Sequence, residues 1–320
     1  MIRLLLWLAL AVAGYFVPAA LGGTTLVYNT LVVTAIFAVM AYGQDIVLSD
    51  LGEVSLAHTA FFAAGAYAAG ILAVDHGWNA WATLLAAGGA ALVLAVVLGL
   101  ITLRTREFAF SLVTYAANVV CFTICYNWTA LGGSDGFVGV PPLDLSLPGL
   151  TLAPMTNKDL WPYAYGLLLL ALYFVARFRR SKLGHAALMV HMNAPLAIMS
   201  GLDPLRVRLM VFLVSAPLTA AGGWLYAYQR AYVGPDLFET YFLVLMLTAV
   251  VLVGRRVLLG PLIGVAVLMA QKSFFSFGAY ADKIVLGALL VIVLCGFPGG
   301  IVSLVDAGRA RARPRPVVRS

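Results

Sequence analysis

Tyr42-Gly43-Gln44-Asp45, then Leu51-Gly52-Glu53-Val54-Ser55-Leu56-Ala57-His58-Thr59-Ala60-Phe61-Phe62, then Gly65-Ala66-Tyr67, set small and polar residues inside apolar sequence. Carboxylate, hydroxyl and imidazole groups are costly at membrane depth, and glycines are where a helix can break. Irregular backbone at that depth is tolerated only where it faces protein or a wet cavity. The run is therefore the first candidate for a path across a bilayer. Ser55 and His58 are three apart, hence on one face if the segment is helical, with Phe61 and Phe62 a turn further on. A hydroxyl and an imidazole beside aromatic walls, with Tyr67 beyond, suit a small polar solute that passes without being held tightly. Two alternatives stand beside this reading: His58 as a packed side chain bonded to a backbone carbonyl, and Glu53 as half of an interfacial ion pair.

Composition sets the class. Hydrophobic residues make up 63% of the 320, charged residues 10%, and the mean hydropathy is +0.99. Soluble domains are nearer half apolar and a quarter charged. The chain reads as an all-α, polytopic membrane helix bundle. Ten apolar segments of about 20 residues fall near 4–22, 25–48, 54–74, 80–103, 108–128, 160–178, 206–229, 238–254, 257–274 and 282–298. The third is only mildly hydrophobic and reads as a full crossing or as a broken, re-entrant helix. The run from Leu4 to Leu21, with Pro18-Ala19-Ala20 as a weak cleavage site, reads as a retained first span rather than a signal peptide, because another span follows almost at once.

The net charge of +7 comes from basic residues in short loops between spans, so it reports orientation rather than nucleic-acid binding. With both termini cytoplasmic, sixteen lysines and arginines fall inside and four (Lys158, Arg230, Lys272 and Lys283) fall outside. The permease region then covers 1–308, and 309–320 is a basic, proline-bearing tail against anionic lipid headgroups. Cys121, Cys125 and Cys295 show no metal-ligand spacing, and the first two, four apart in one apolar span, read as small packing residues. Gly65, Gly70, Gly222 and Gly223 read as close helix-packing points. Asn118, alone in an apolar span, either bonds a neighbouring helix or faces the path.

Two connections are too long for simple turns. The external one, 127–159, holds Gly132-Gly133-Ser134-Asp135-Gly136 and four prolines, a shaped loop of a kind uncommon without a partner or ligand to meet. The internal one leaves the membrane at Arg177-Phe178-Arg179-Arg180-Ser181-Lys182. It then has helix-forming composition from Gly184, is interrupted at Asn193-Ala194-Pro195, and stops at Gly201-Leu202-Asp203-Pro204. One or two short helices with exposed methionines suit a groove on a partner protein, or else rest on lipid.

These segments, in this order, resemble the membrane subunits of ABC importers for branched-chain amino acids and related small polar solutes, in particular the LivM-like half of the permease pair. The resemblance covers about 29–300. It rests on Gly52 to Phe62 with Gly65-Ala66-Tyr67, Arg104 to Tyr115, Gly132 to Gly136, Gly184 to Gly201, Ala221 to Ala227 with Gly234-Pro235, and Gly260-Pro261-Leu262-Ile263-Gly264. The glycine-serine-aspartate loop points to this half of the pair. The resemblance implies a bacterial inner-membrane protein that works by alternating access with a second, LivH-like permease, two ATPases and an extracytoplasmic solute-binding protein. It also implies that the 184–201 segment is the coupling element, carried here by Gly184, His185, His191, Met192, Asn193, Pro195 and Gly201. No GxxxxGK[ST] occurs, so this chain is expected to bind no cofactor, with ATP and Mg on partner subunits. Glu53 stands where relatives usually carry glutamine, and Ala57 where they carry glycine. In the coupling segment apolar residues replace several charges, so docking is expected to rely more on apolar contact.

The rival class is a stand-alone proton-coupled transporter using Asp45, Glu53 and His58 as a relay. An enzyme finds no support: the histidines His58, His76, His185 and His191 sit in no HExxH, paired-aspartate or Ser-His-Asp order. The solute itself is not legible in this chain.

Overall fold

The computed structural model describes residues 11–102, 105, 107–146, 154–274, 279–296 and 300–302. The basic tail 309–320, the first ten residues of the chain with the start of the first apolar segment, and Arg104, Arg106 and Pro148 lie outside these. Among the described residues the regular structure is helical apart from one two-stranded ribbon. Residues 11–15 are helical, followed by α1 (Val17–Ala20), α2 (Thr25–Asp45), α3 (His58–Val74), α4 (Ala80–Thr102), α5 (Glu107–Asn127) and α6 (Asn157–Phe178). Then come α7 (Lys182–Met192), α8 (Ala194–Met199), α9 (Pro204–Arg230), α10 (Thr240–Val253), α11 (Gly260–Phe274) and α12 (Ala279–Gly296). Among the described residues five stretches are long and apolar enough to cross a bilayer: Thr25–Leu51, Ala80–Ile101, Phe108–Asn127, Asn157–Phe178 and Pro204–Arg230. His58–Val74 and Thr240–Val253 are shorter apolar helices.

Local chemistry sets the helix ends. Thr156 and Asp159 form a reciprocal capping box at the start of α6, satisfying two backbone donors that a helix leaves unpaired. Asp203 accepts from the N–H groups of Leu205 and Arg206 while Pro204 takes the first helical position of α9. At the other end of α9, β2 (Tyr232–Val233) pairs antiparallel with β1 (Phe137–Val138), tying the long loop to the bundle.

The centre is α9 packed between α3, α4 and α2. Backbones approach there because side chains are absent. A Cβ on Gly223 would fall onto the Phe62 carbonyl, and one on Gly65 onto the Ala220 carbonyl. Gly222 faces the Ile36 carbonyl in the same way. Small residues at such crossings let dispersion and interhelical hydrogen bonds act where the hydrophobic effect has little to offer, since lipid is as apolar as leucine. Gly70 differs: it packs against the Val233 side chain of the ribbon, not against a helix. On α4 the buried stripe is Thr83, Ala87, Ala91 and Ala95, four apart, with large apolar residues such as Leu85 and Val93 outward.

Candidate functional site: a buried polar seam and a charged cavity

Helix α2 runs straight into a π-helical turn, Ile46–Leu51, that the apolar pattern of Ile-Val-Leu-Ser-Asp-Leu does not announce. Hydrogen bonds that reach i+5 widen the turn, so residues five apart come round to one side. Asp45 and Asp50 are such a pair, and Arg179, just past α6, bridges them. Its Nη2 lies 2.6 Å from Asp45 Oδ2 and its Nε 3.3 Å from Asp50 Oδ2. Ser49 Oγ donates to Asp45 Oδ1 at 2.5 Å and accepts the Arg256 N–H at 3.1 Å. The Arg256 guanidinium stands 3.6 Å from Asp50 Oδ1. Arg256 has φ +62°, a left-handed conformation that costs a non-glycine residue roughly 1–3 kcal/mol, and the contacts to Ser49 and Asp50 hold it there.

Gly52, at φ +73°, ends the turn, and the His191 ring from α7 occupies the space a Cβ would take. Only glycine meets both demands. The chain is then non-helical from 52 to 57, and α3 starts at His58, not at 54 as the third apolar segment suggests. Ser55 and His58 therefore meet through a side-chain turn rather than along a helical face. Ser55 Oγ lies 3.0 Å from His58 Nδ1, and Ser215 Oγ of α9 lies 3.1 Å from Nε2. Glu53 is in an ion pair, its Oε1 2.7 Å from Arg208 Nε. Arg208 also donates to the Thr105 carbonyl and lies over the Phe110 ring. Thr59 donates to Asn118 Oδ1 at 2.8 Å, and Asn118 Nδ2 donates to the Phe238 carbonyl at 3.4 Å, so Asn118 bonds neighbouring elements.

The aromatic residues close the seam. Phe61 packs on His58 and Phe212, while Phe62 joins Phe37, Tyr226 and Phe242, with centroids 5.2–6.4 Å apart. Tyr67 lies between Phe137 and Phe238. Ser55, His58, Phe61 and Phe62 are all buried and fill the contact between α3 and α9 rather than border open space.

Open space lies at the opposite end of the bundle from Arg179, and the sequence reading missed it. A cavity of 480 Å³ has Phe37, Tyr226, Phe242 and Met269 among its walls, with Arg230, Asp236, Glu239, Lys272, Asp282 and Lys283 around them. Arg230 pairs with Asp236 at 2.5 Å, and Lys283 with Glu239 at 2.7 Å. A second cavity of 400 Å³ shares Glu239, Tyr241 and Lys283 with the first and reaches Asn118. The signal available in sequence was that Arg230, Lys272 and Lys283 are three of the four basic residues assigned to one side, with acids close by in sequence. Near this end, Gly132, Gly133 and Gly136 take φ of +81°, +56° and +67°. They form a tight turn closed by the Gly136 N–H on the Gly132 carbonyl, with Ser134 bonded to Asp135 and both outside the cavities.

Residues 26–294 match the family described as branched-chain amino acid transport system / permease component. This chain belongs to that family. The high-affinity branched-chain amino acid transport system permease protein LivM of Salmonella typhimurium is 25% identical over 294 residues, covering 85% of this chain and 68% of the relative. LivM of Escherichia coli is 26% identical over 293 residues, with the same coverages. No solved structure matches the chain. As a transport permease component of that family, the chain is a multi-pass membrane protein and carries the LivM-like resemblance over most of its length.

The permease's 184–201 segment forms two helices. Ser181 Oγ accepts the Gly184 N–H to start α7, and Gly184 itself is buried against the Phe178 carbonyl. His185 is turned onto the Ser181 carbonyl and His191 onto Gly52, so both are engaged within the chain. Asn193 ends α7 and caps α8, accepting from Leu196 N–H, with Pro195 in the first turn and Gly201 at φ +80° after it. Met192 and Met199 are 75% and 85% exposed.

Replacing His58 by alanine should lower the yield of folded permease. Two hydrogen bonds, worth on average ~0.6 kcal/mol each inside a membrane bundle, disappear together with the ring's packing on Phe61 and Phe212. Fluorescence-detected size exclusion measures that yield. An undiminished yield with lower uptake would instead put His58 on the solute path.

Proposed function

We propose that this chain is one of two permease subunits of an ATP-driven importer in a bacterial inner membrane. It carries a branched-chain amino acid or a related small polar solute by alternating access. Two ATPases, which hold ATP and Mg, dock on α7 and α8, and an extracytoplasmic binding protein delivers solute at the end bearing the Gly132–Gly136 turn. Ten spans with both termini cytoplasmic fit this arrangement. Arg179, Arg208 and Arg256 lie at one end of the bundle and Arg230, Lys272 and Lys283 at the other, which supports assigning the two sets to opposite sides of the membrane.

The observation that carries the reading is the two-sided character of the α7–α8 segment. Its inner face touches the π turn through His191 and Gly52, and its outer face presents Met192, Leu196, Ile198 and Met199, exposed among the described residues. A partner seated on those side chains can move the π turn, and the π turn leads directly into the Ser55–His58 break.

Substituting Met192 by glutamate buries a charge against an apolar dock and should reduce ATPase co-purification by about tenfold or more. Because Met192 is exposed, the variant should still fold. Quantitative pull-down of the tagged subunit tests it; an unchanged ATPase yield, with solute-stimulated hydrolysis intact, would remove Met192 from the dock.

A further inference from the structure

The 480 Å³ cavity falls within the roughly 300–1,000 Å³ range of small-molecule sites, and its lining carries six ionisable side chains of both signs beside the tyrosines. Three cations, Arg230, Lys272 and Lys283, face three carboxylates, Asp236, Glu239 and Asp282, above a floor of Phe37, Phe242 and Met269. A lining balanced in charge does not select an ion of either sign. It selects a solute that carries both signs at once and has an apolar body.

The pairs are not equally committed. Arg230 and Asp236 hold each other, and Arg230 also lies over the Tyr226 and Tyr232 rings. Lys272 has no carboxylate within ion-pair distance among the described residues; its Nζ lies 3.5 Å from the Tyr241 hydroxyl and 5.1 Å above that ring. Glu239 is bonded to Lys283, but both side chains are about half exposed, so the pair is water-accessible and its exchange for another ammonium costs little.

We propose that this cavity is a reception site for an aliphatic amino acid in its zwitterionic form, with the α-carboxylate on Lys272, the α-ammonium on Glu239 in exchange for Lys283, and the side chain on Phe37, Phe242 and Met269. The site rests on the importer reading above, and it deepens that reading by placing the solute's two charges and its apolar body on named residues. The Glu239–Lys283 pair also separates this cavity from the second one, which reaches Asn118. Capture of the ammonium by Glu239 would release Lys283 from that partition.

The experiment uses the assembled importer purified with its ATPases and a diazirine analogue of leucine as the probe. After irradiation, peptide mass spectrometry should map the label to peptides carrying Phe242, Met269 or Phe37. Leucine should displace it. Leucinol, which lacks the carboxylate, and 4-methylpentanoate, which lacks the ammonium, should compete about tenfold or more weakly, each missing one charge-assisted bond. Lys272→Met should lose the label and Lys272→Arg should keep it. Equal competition by either one-charge analogue, or a leucine-displaceable label that maps elsewhere, overturns the site while the importer reading stands. Because the competition series runs on the parent protein, the result does not depend on any variant folding. Failure of ATPases to co-purify at all would instead overturn the importer reading, and this site with it.

Discussion

Arg179→Met should abolish accumulation of the folded permease. Asp45 and Asp50 are buried on one side of the π turn, and Arg179 is the cation that touches both. Removing one member of a buried ion pair costs about 3–5 kcal/mol, because the remaining charge stays desolvated without a partner. Here one substitution strands two carboxylates, and Arg256 at 3.6 Å reaches only Asp50. Lysine should rescue partially, since a point charge cannot serve two carboxylates as a guanidinium fork does. Adding Asp45→Asn and Asp50→Asn to Arg179→Met should restore accumulation by removing the stranded charge. Quantitative immunoblotting of membranes and size exclusion of solubilised protein provide the readouts. Parent-like levels for Arg179→Met alone would show that these groups are not held as charges.

The second large effect belongs to Gly223. A methyl group there would lie within the Phe62 carbonyl, and the obstructing atoms are backbone, which cannot swing aside. Overpacking commonly costs 1–3 kcal/mol, and about that much or more is expected where two helix backbones must separate. Gly223→Ala should therefore reduce folded protein several-fold. Gly222→Ala, whose Cβ would sit 3.2 Å from the Ile36 carbonyl oxygen, should be intermediate. Gly70→Ala meets only the side chains of Val233 and Val140, which can shift, and should be mild. An inverted order, with Gly70 the most sensitive, would mean that the α3–α9 crossing is not the close contact on which the bundle depends.

The helical architecture was legible because apolar runs of bilayer length leave the backbone no alternative to helix. The break at Asn193 was legible too, since asparagine followed by alanine and proline both ends one helix and starts another. The glycine pairs announced close crossings, although Gly70 meets a strand rather than a helix. The partners of the polar groups were hidden. Arg179 reads as one more residue of a basic exit run, and nothing local ties it to Asp45 and Asp50, more than 120 residues away in the chain. Glu53 and Arg208 are hidden from each other for the same reason. The π turn was invisible because periodicity separates helix from strand, not one helical winding from another. The Ser55–His58 spacing suggested a shared helical face; the two do meet, but because Gly52 ends the turn and leaves Ser55 free to fold back on the first residue of α3.

The rings of Phe37, Phe62, Tyr226 and Phe242 lie under the charged cavity. A cell membrane stores energy as voltage, about 2.3 kcal/mol for every charge that crosses 100 mV. A standing thread of water through this protein would short that store. Four rings with centroids 5.4–6.4 Å apart put carbon beneath the cavity instead, and carbon offers a water thread no hydrogen-bonding partner. An apolar layer at this depth favours an idle state that spares the battery its host runs on.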